Sequence, residues 1–127
     1  MTFALSVVRD FGATHWMPSG KKEERTPHRH DYRLQATVEG RALGPEGFLV
    51  DIDVLKEALD RLVTRVDGSS VNALPELNGR PPSLENFAAA LWSTFRMELE
   101  DERLESLTIT LWESADASAS YGQRLKL

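Results

Sequence analysis

Cysteine is absent from the 127 residues, and its absence excludes disulfides, thiolate metal ligands and cysteine nucleophiles together. Long apolar runs are missing too: no stretch approaches the roughly 20 residues needed to cross a bilayer as a helix. Positive charge is in the minority, with 15 Lys and Arg against 20 Asp and Glu, a net charge of −5. That balance argues against nucleic acid or an anionic membrane as the main partner. The start of the chain, Met1 to Arg9, lacks the basic segment and long apolar core of a signal peptide, so the expected location is cytoplasmic. At this length one domain spanning residues 1–127 is expected, with a modest core.

Histidine is scarce as well, and the scarcity is informative because all three fall into one pattern. His15 closes the first apolar run, and His28 and His30 open the second as a His-x-His pair. In an extended strand, side chains at i and i+2 share a face, so His28 and His30 can chelate together. If the two runs pair as antiparallel neighbours, His15 arrives at the same end of the sheet. Three neutral imidazoles converging there describe a zinc site with its fourth position open to water or substrate. The competing reading is three unrelated polar histidines at strand ends.

Hydrophobic periodicity gives the order strand, strand, helix, helix, strand, strand. Phe3, Leu5, Val7, Phe11 and Ala13 share a parity that His15 continues. Residues 16–27 break it with Pro18, Ser19, Gly20 and a charged run, a long connection of the kind that carries function. Tyr32, Leu34, Ala36 and Val38 form one face of the second strand, sharing parity with His28 and His30. Residues 40–47 read as a turn region. Asp51 or Asp53 can cap a helix whose stripe is Val54, Leu55, Ala58, Leu59, Leu62, Val63 and Val66. Residues 67–82 read as irregular. Ser83 caps a second helix carrying Phe87, Leu91 and Phe95. Leu107, Ile109 and Leu111 alternate with Thr108, Thr110 and Trp112, and Glu113 ends that strand; the last strand runs through Tyr121 to Leu125.

The expected fold class is therefore α+β: a four-stranded sheet with two helices on one face. Its other face, with Arg33, Gln35, Thr37, Thr108, Thr110 and Trp112, is too mixed for a buried layer and too apolar in places for open solvent. Two sheet edges also need cover. Edge-to-edge pairing of copies into a closed barrel answers both, so a homo-oligomer is expected.

The motifs resemble those of the 6-pyruvoyltetrahydropterin synthases and the related 6-carboxytetrahydropterin synthases of deazapurine (queuosine-type) biosynthesis. Phe11-Gly12-Ala13-Thr14-His15 resembles their Phe-x-Ala-Ala-His, and His28-Arg29-His30-Asp31-Tyr32 their His-Gly-His-Asn-Tyr. Gly47 to Asp51 with Leu55-Lys56 is similar to Gly-x-x-x-Asp-Phe-x-x-Leu-Lys, and Pro82 to Asn86 to Pro-Thr-x-Glu-Asn. Trp112-Glu113-Ser114 with Tyr121 is similar to the family's Glu-Thr…Tyr ending. The resemblance implies the tunnelling fold, a four-stranded antiparallel sheet with two helices on one side, in which three protomers close a barrel, giving a trimer or a hexamer built from two trimers, with active sites between subunits. It implies zinc on His15, His28 and His30, and a pterin anchored by the Glu113 carboxylate through paired hydrogen bonds.

The usual substrate of that family is 7,8-dihydroneopterin triphosphate, whose side-chain hydroxyls zinc binds and acidifies. A cysteine four residues before the His-x-His pair acts as base, an Asp-His pair supports proton transfer, and triphosphate leaves. This chain departs at both proton-handling places. Glu24 occupies the cysteine slot by spacing, with Glu23 adjacent, and the Asp-His-x-x-Leu-Asn motif reads Asp67-Gly68-Ser69-Ser70-Val71-Asn72. Asp67 and a Glu24 tuned toward neutrality are the expected catalytic groups. Family members with Glu near this slot resemble aldolase-like enzymes that release 6-hydroxymethyldihydropterin, although their Glu usually lies one residue nearer the pair. Three readings follow: a pterin lyase with an altered base, an aldolase-like enzyme, or a catalytically silent paralogue binding zinc and a pterin or purine. Glu23 and Glu24 balancing Lys21, Lys22 and Arg25 on a solvated loop is the plain alternative for the base, and Arg29 either contacts phosphate or narrows the pocket.

Overall fold

The computed structural model describes residues 1–125. Its elements are β1 (Phe3–His15), α1 (Lys22–Arg25), β2 (His28–Gly40), α2 (Ile52–Val66), α3 (Leu84–Arg96), β3 (Ser106–Ser114) and β4 (Ala117–Arg124). The strands form one antiparallel sheet in the order β1-β2-β3-β4. Two differences lie in the connections. The loop before β2 holds α1, a single helical turn, and the stretch after α2 holds short 3₁₀ turns at Val71–Ala73 and Pro75–Leu77. β4 ends at Arg124 rather than Leu125.

The long helices begin where their caps dictate. The Asp51 side chain accepts from the Asp53 N–H at 2.9 Å, and the Ser83 hydroxyl accepts from the Asn86 N–H at 3.1 Å. α2 buries Leu55, Ala58, Leu59, Leu62 and Val66, a spacing of three and four that faces the sheet. Val54, placed by periodicity in the same stripe, is 52% exposed: it lies one position around the helix from Leu55, outside the arc that the sheet covers. α3 buries Phe87, Ala88, Ala90, Leu91, Trp92 and Phe95, and the Trp92 indole N–H donates to the Leu107 carbonyl of β3 at 2.8 Å.

Against these helices the sheet presents Val7, Phe11, Ala13, Tyr32, Leu34, Ala36, Val38, Leu107, Ile109 and Leu111, all buried in one core cluster. The opposite face carries hydroxyl pairs, Ser6–Thr37 and Thr110–Ser120, each at 2.8 Å, and the ion pair Arg33–Asp10. Val8 on that face is 45% exposed. Among the described residues no helix is long and apolar enough to cross a membrane.

Leu59 is fully buried between α2 and the sheet. Leu59→Ala is expected to lower stability by about 2–5 kcal/mol, measured as a shift of the urea midpoint. A loss under about 0.5 kcal/mol would contradict the packing described.

Candidate metal and ligand site

The register of β1 against β2 builds the site. Phe3 pairs with Gly40 at one end and His15 with His28 at the other, with Ala13 opposite His30. The two strand ends thus bring all three histidines onto the helix-side face. Their ring centroids lie 4.6 Å (His15–His28), 4.9 Å (His15–His30) and 4.9 Å (His28–His30) apart. One ring nitrogen from each falls within 4.8 Å of the others. A tetrahedral ion with bonds of about 2.0–2.1 Å wants donors about 3.4 Å apart, a closure that small side-chain rotations supply.

Backbone carbonyls orient two of the rings. His15 Nδ1 lies 3.0 Å from the Pro82 carbonyl and His28 Nδ1 lies 2.8 Å from the Thr26 carbonyl. A carbonyl only accepts, so each Nδ1 carries the proton, and Nε2 keeps its lone pair for a cation. This is the outer-shell arrangement that metal-binding imidazoles use. Burial, followed by the neighbouring His15, pushes the His30 pKa down, against an opposing pull from Glu113. His30 is accordingly neutral at neutral pH and fit to be a ligand. The donor set suits zinc, which when bound polarises a substrate oxygen and lowers the pKa of hydroxyl or water.

Beneath the triad lies an aromatic floor. Tyr32 is 2% exposed, stacks on Phe11 at 5.2 Å, and meets the edges of Phe87 at 5.3 Å and His30 at 5.7 Å. Burial first, and the Glu113 charge second, hold its phenol protonated well above the ordinary range. Glu113 is half-buried where the β3–β4 register shifts between Trp112 and Ser114. That irregularity falls one position past the last β2–β3 pair, Arg33–Trp112, and the Glu113 charge acts on both His30 and Tyr32. The triad, Tyr32 and Glu113 therefore form one group.

Asp67 and Glu24 are each engaged by a nearby backbone N–H. Asp67 ends α2, is exposed, and accepts from the Gly12 N–H at 2.9 Å. Gly68 follows at φ +75°, a conformation that a histidine there would adopt only with strain. Its N–H donates to the Gly12 carbonyl at 2.7 Å. The Ser69 hydroxyl is shielded from solvent and has no hydrogen-bond partner among the described residues. Glu24 is exposed on α1, where its carboxylate accepts from the Lys21 N–H at 3.2 Å. Arg29 projects from the face opposite His28 and His30, its guanidinium lying over the bare Cα of Gly12 and paired with Asp31 at 3.1 Å. There it borders an open groove of about 880 Å³ lined also by Asp10, Arg33, Asp67 and Trp112.

Periodicity marked Tyr32 only as core, although its shared parity with His28 and His30 was the available signal. The carbonyls of Thr26 and Pro82 carry no side-chain signature and were invisible.

The family model described as 6-pyruvoyl tetrahydropterin synthase matches residues 4–124. The 6-pyruvoyl tetrahydrobiopterin synthase of Drosophila melanogaster is 30% identical over 87 residues, 67% of this chain and 52% of that protein, so the match spans about half the relative's length. The 6-pyruvoyl tetrahydropterin synthase of Plasmodium falciparum superposes with a TM-score of 0.82 at 16% identity, covering 97% of this chain and 98% of that one. A Plasmodium vivax 6-pyruvoyltetrahydropterin synthase in which a catalytic glutamate is replaced by cysteine superposes at 0.78 with 15% identity, covering 98% and 99%. The tunnelling fold and the near-complete family match leave one assignment: this chain belongs to the 6-pyruvoyl tetrahydropterin synthase family.

Proposed function

We propose that this protein is a zinc-dependent lyase acting on 7,8-dihydroneopterin triphosphate or a close pterin relative. The observation that carries the proposal is the convergence of three imidazoles, two with Nδ1 held by backbone carbonyls, beside the Glu113 carboxylate. In this reading His15, His28 and His30 hold zinc, which supplies the acidification of the substrate's side-chain hydroxyls. Glu113 accepts from the exocyclic amine and adjacent N–H of the pterin, and a charge-assisted pair of this kind fixes both position and orientation. Tyr32, kept protonated, offers a neutral hydroxyl beside it. Glu24 is the proposed base, and Asp67 supports proton transfer. The glutamate named as catalytic in the Plasmodium vivax relative supports a carboxylate in that role. For Glu24 to act, its carboxylate must exchange the 3.2 Å contact with Lys21 N–H for the substrate's C–H.

A second reading is favoured by two specific features. Gly68 stands at positive φ where the family carries histidine, and Glu24 closes its own turn. Both suit a catalytically silent zinc- and pterin- or purine-binding paralogue. In either case the proposed assembly is a homo-oligomer, a trimer or a hexamer. The mixed face with exposed Val8 supports it.

Zinc-loaded protein incubated with 7,8-dihydroneopterin triphosphate is expected to yield a product that the metal-free control does not, followed by mass spectrometry. Loss of triphosphate establishes the lyase, release of 6-hydroxymethyldihydropterin the aldolase-like route, and unchanged substrate removes the simple lyase. Glu24→Gln keeps an acceptor for Lys21 but not a base. Turnover is expected to fall by about 10²- to 10⁴-fold with zinc affinity unchanged, and unaltered turnover excludes Glu24 as the base. Glu113→Gln is expected to weaken pterin binding by about 10- to 100-fold through loss of a charge-assisted hydrogen bond, read by calorimetry. Wild-type affinity would remove Glu113 from the ligand site.

A further inference from the structure

The outer edge of β1 is zipped to the segment 67–72 from Gly12 to Thr14, and the pairing continues to Trp16 just past the strand. Alternate residues of a strand turn their backbone groups to opposite sides, and β2 takes one side of β1. On the other side the Gly12 N–H donates to Asp67 Oδ1 at 2.9 Å, and the Gly12 carbonyl accepts from the Gly68 N–H at 2.7 Å. The Thr14 N–H donates to the Ser69 carbonyl at 3.0 Å, and Thr14 forms a parallel bridge with Ser70. At Trp16 the backbone partner is replaced by a side chain. Asn72 Oδ1 accepts from the Trp16 N–H and Asn72 Nδ2 donates to the Trp16 carbonyl, both at 3.0 Å.

That last pair is unusual in what it satisfies. One carboxamide, acting as a surrogate peptide group, meets both the donor and the acceptor of one residue. The residue it clamps immediately follows His15. From the other direction, the Pro82 carbonyl holds the His15 ring. Backbone and imidazole of this ligand are thus fixed by two separate segments, whereas His28 is oriented by Thr26, only two residues away.

We infer that Asn72 is a positioning residue for the metal centre, setting where His15 presents Nε2 by clamping the backbone of Trp16. The inference rests on the reading of the triad as a zinc site. A clamp that served only to cover a strand edge would leave cation affinity untouched when cut, provided the chain still folds. A clamp that positions a ligand changes affinity and ligand-field geometry together. Outer-shell contacts of metal ligands contribute on the order of 10- to 100-fold in affinity.

The test is zinc titration of full-length protein against a chromophoric chelator, with cobalt(II) absorption as a report of geometry. Wild type, Asn72→Ala and Asp51→Ala are compared. Asp51→Ala removes the N-cap at the far end of α2 and serves as a control for lost stability alone. Asn72→Ala is expected to bind zinc about 10- to 100-fold more weakly with an altered cobalt spectrum, while Asp51→Ala binds as wild type does. Equal affinity and spectrum in wild type and Asn72→Ala overturn the inference. Failure of wild type to bind zinc overturns the metal reading itself. Should Asn72→Ala not fold, Asn72→Asp keeps the acceptor for Trp16 N–H and loses only the donor. Its added negative charge favours a cation, so weaker binding there reports position, and undiminished binding counts against the inference.

Discussion

Antiparallel pairing of β1 with β2 is the constraint from which the rest of this molecule follows. Thirteen residue pairs, from Phe3–Gly40 to His15–His28, lock the two strands in one register. Because side chains alternate at every residue, a slip by one position would carry Phe11, Ala13 and His15 to the opposite face while β2 kept its own. The core would lose Phe11 and the triad would lose a member in the same step. Burial of Phe11, Leu34 and Leu111 therefore enforces the geometry of the histidines, although none of these apolar residues touches chemistry. Helices α2 and α3 matter to the site chiefly because they make that burial compulsory.

The site itself sits where packing gives way to polarity. Phe11, Tyr32 and Phe87 form a rigid aromatic base, and the imidazoles stand on it at one end of the sheet. Partial burial keeps His30 neutral, and the same burial keeps the Tyr32 phenol protonated. Withdrawal from water is the leading cause of both shifts. The shift in the β3–β4 register around Glu113 brings that carboxylate into the group, a common use of strand irregularity beside functional sites.

The two departures from the family pattern have a shared structural character. Gly68 occupies a left-handed turn that delivers its N–H to Gly12, and Asp67 closes the same contact with its side chain. Glu24 closes α1, and its backbone carbonyl receives the Met17 N–H at 2.6 Å, drawing the loop back on itself. In each place, hydrogen bonds to the backbone organise the segment.

Much of this was determined by sequence alone, because it depends on periodicity. Alternation from Phe3 to His15, from His28 to Glu39 and from Leu107 to Glu113 specified strands and faces, and spacing of three and four over Leu55, Leu59 and Leu62 specified a helix. The parity of His15, His28 and His30 placed them on one face once the strands were paired. Tertiary structure decided what periodicity does not encode. The carbonyls of Pro82 and Thr26 that fix the imidazole tautomers are backbone atoms, identical in every residue. The clamp of Asn72 on Trp16 joins positions 56 residues apart, and the exposure of Val54 depends on how wide an arc of α2 the sheet covers. Arg29 on the far face from the triad follows from strand alternation, but its place over Gly12 required knowing which residue of β1 lies alongside. Local pattern sets which way a side chain points; only the folded chain sets what it meets.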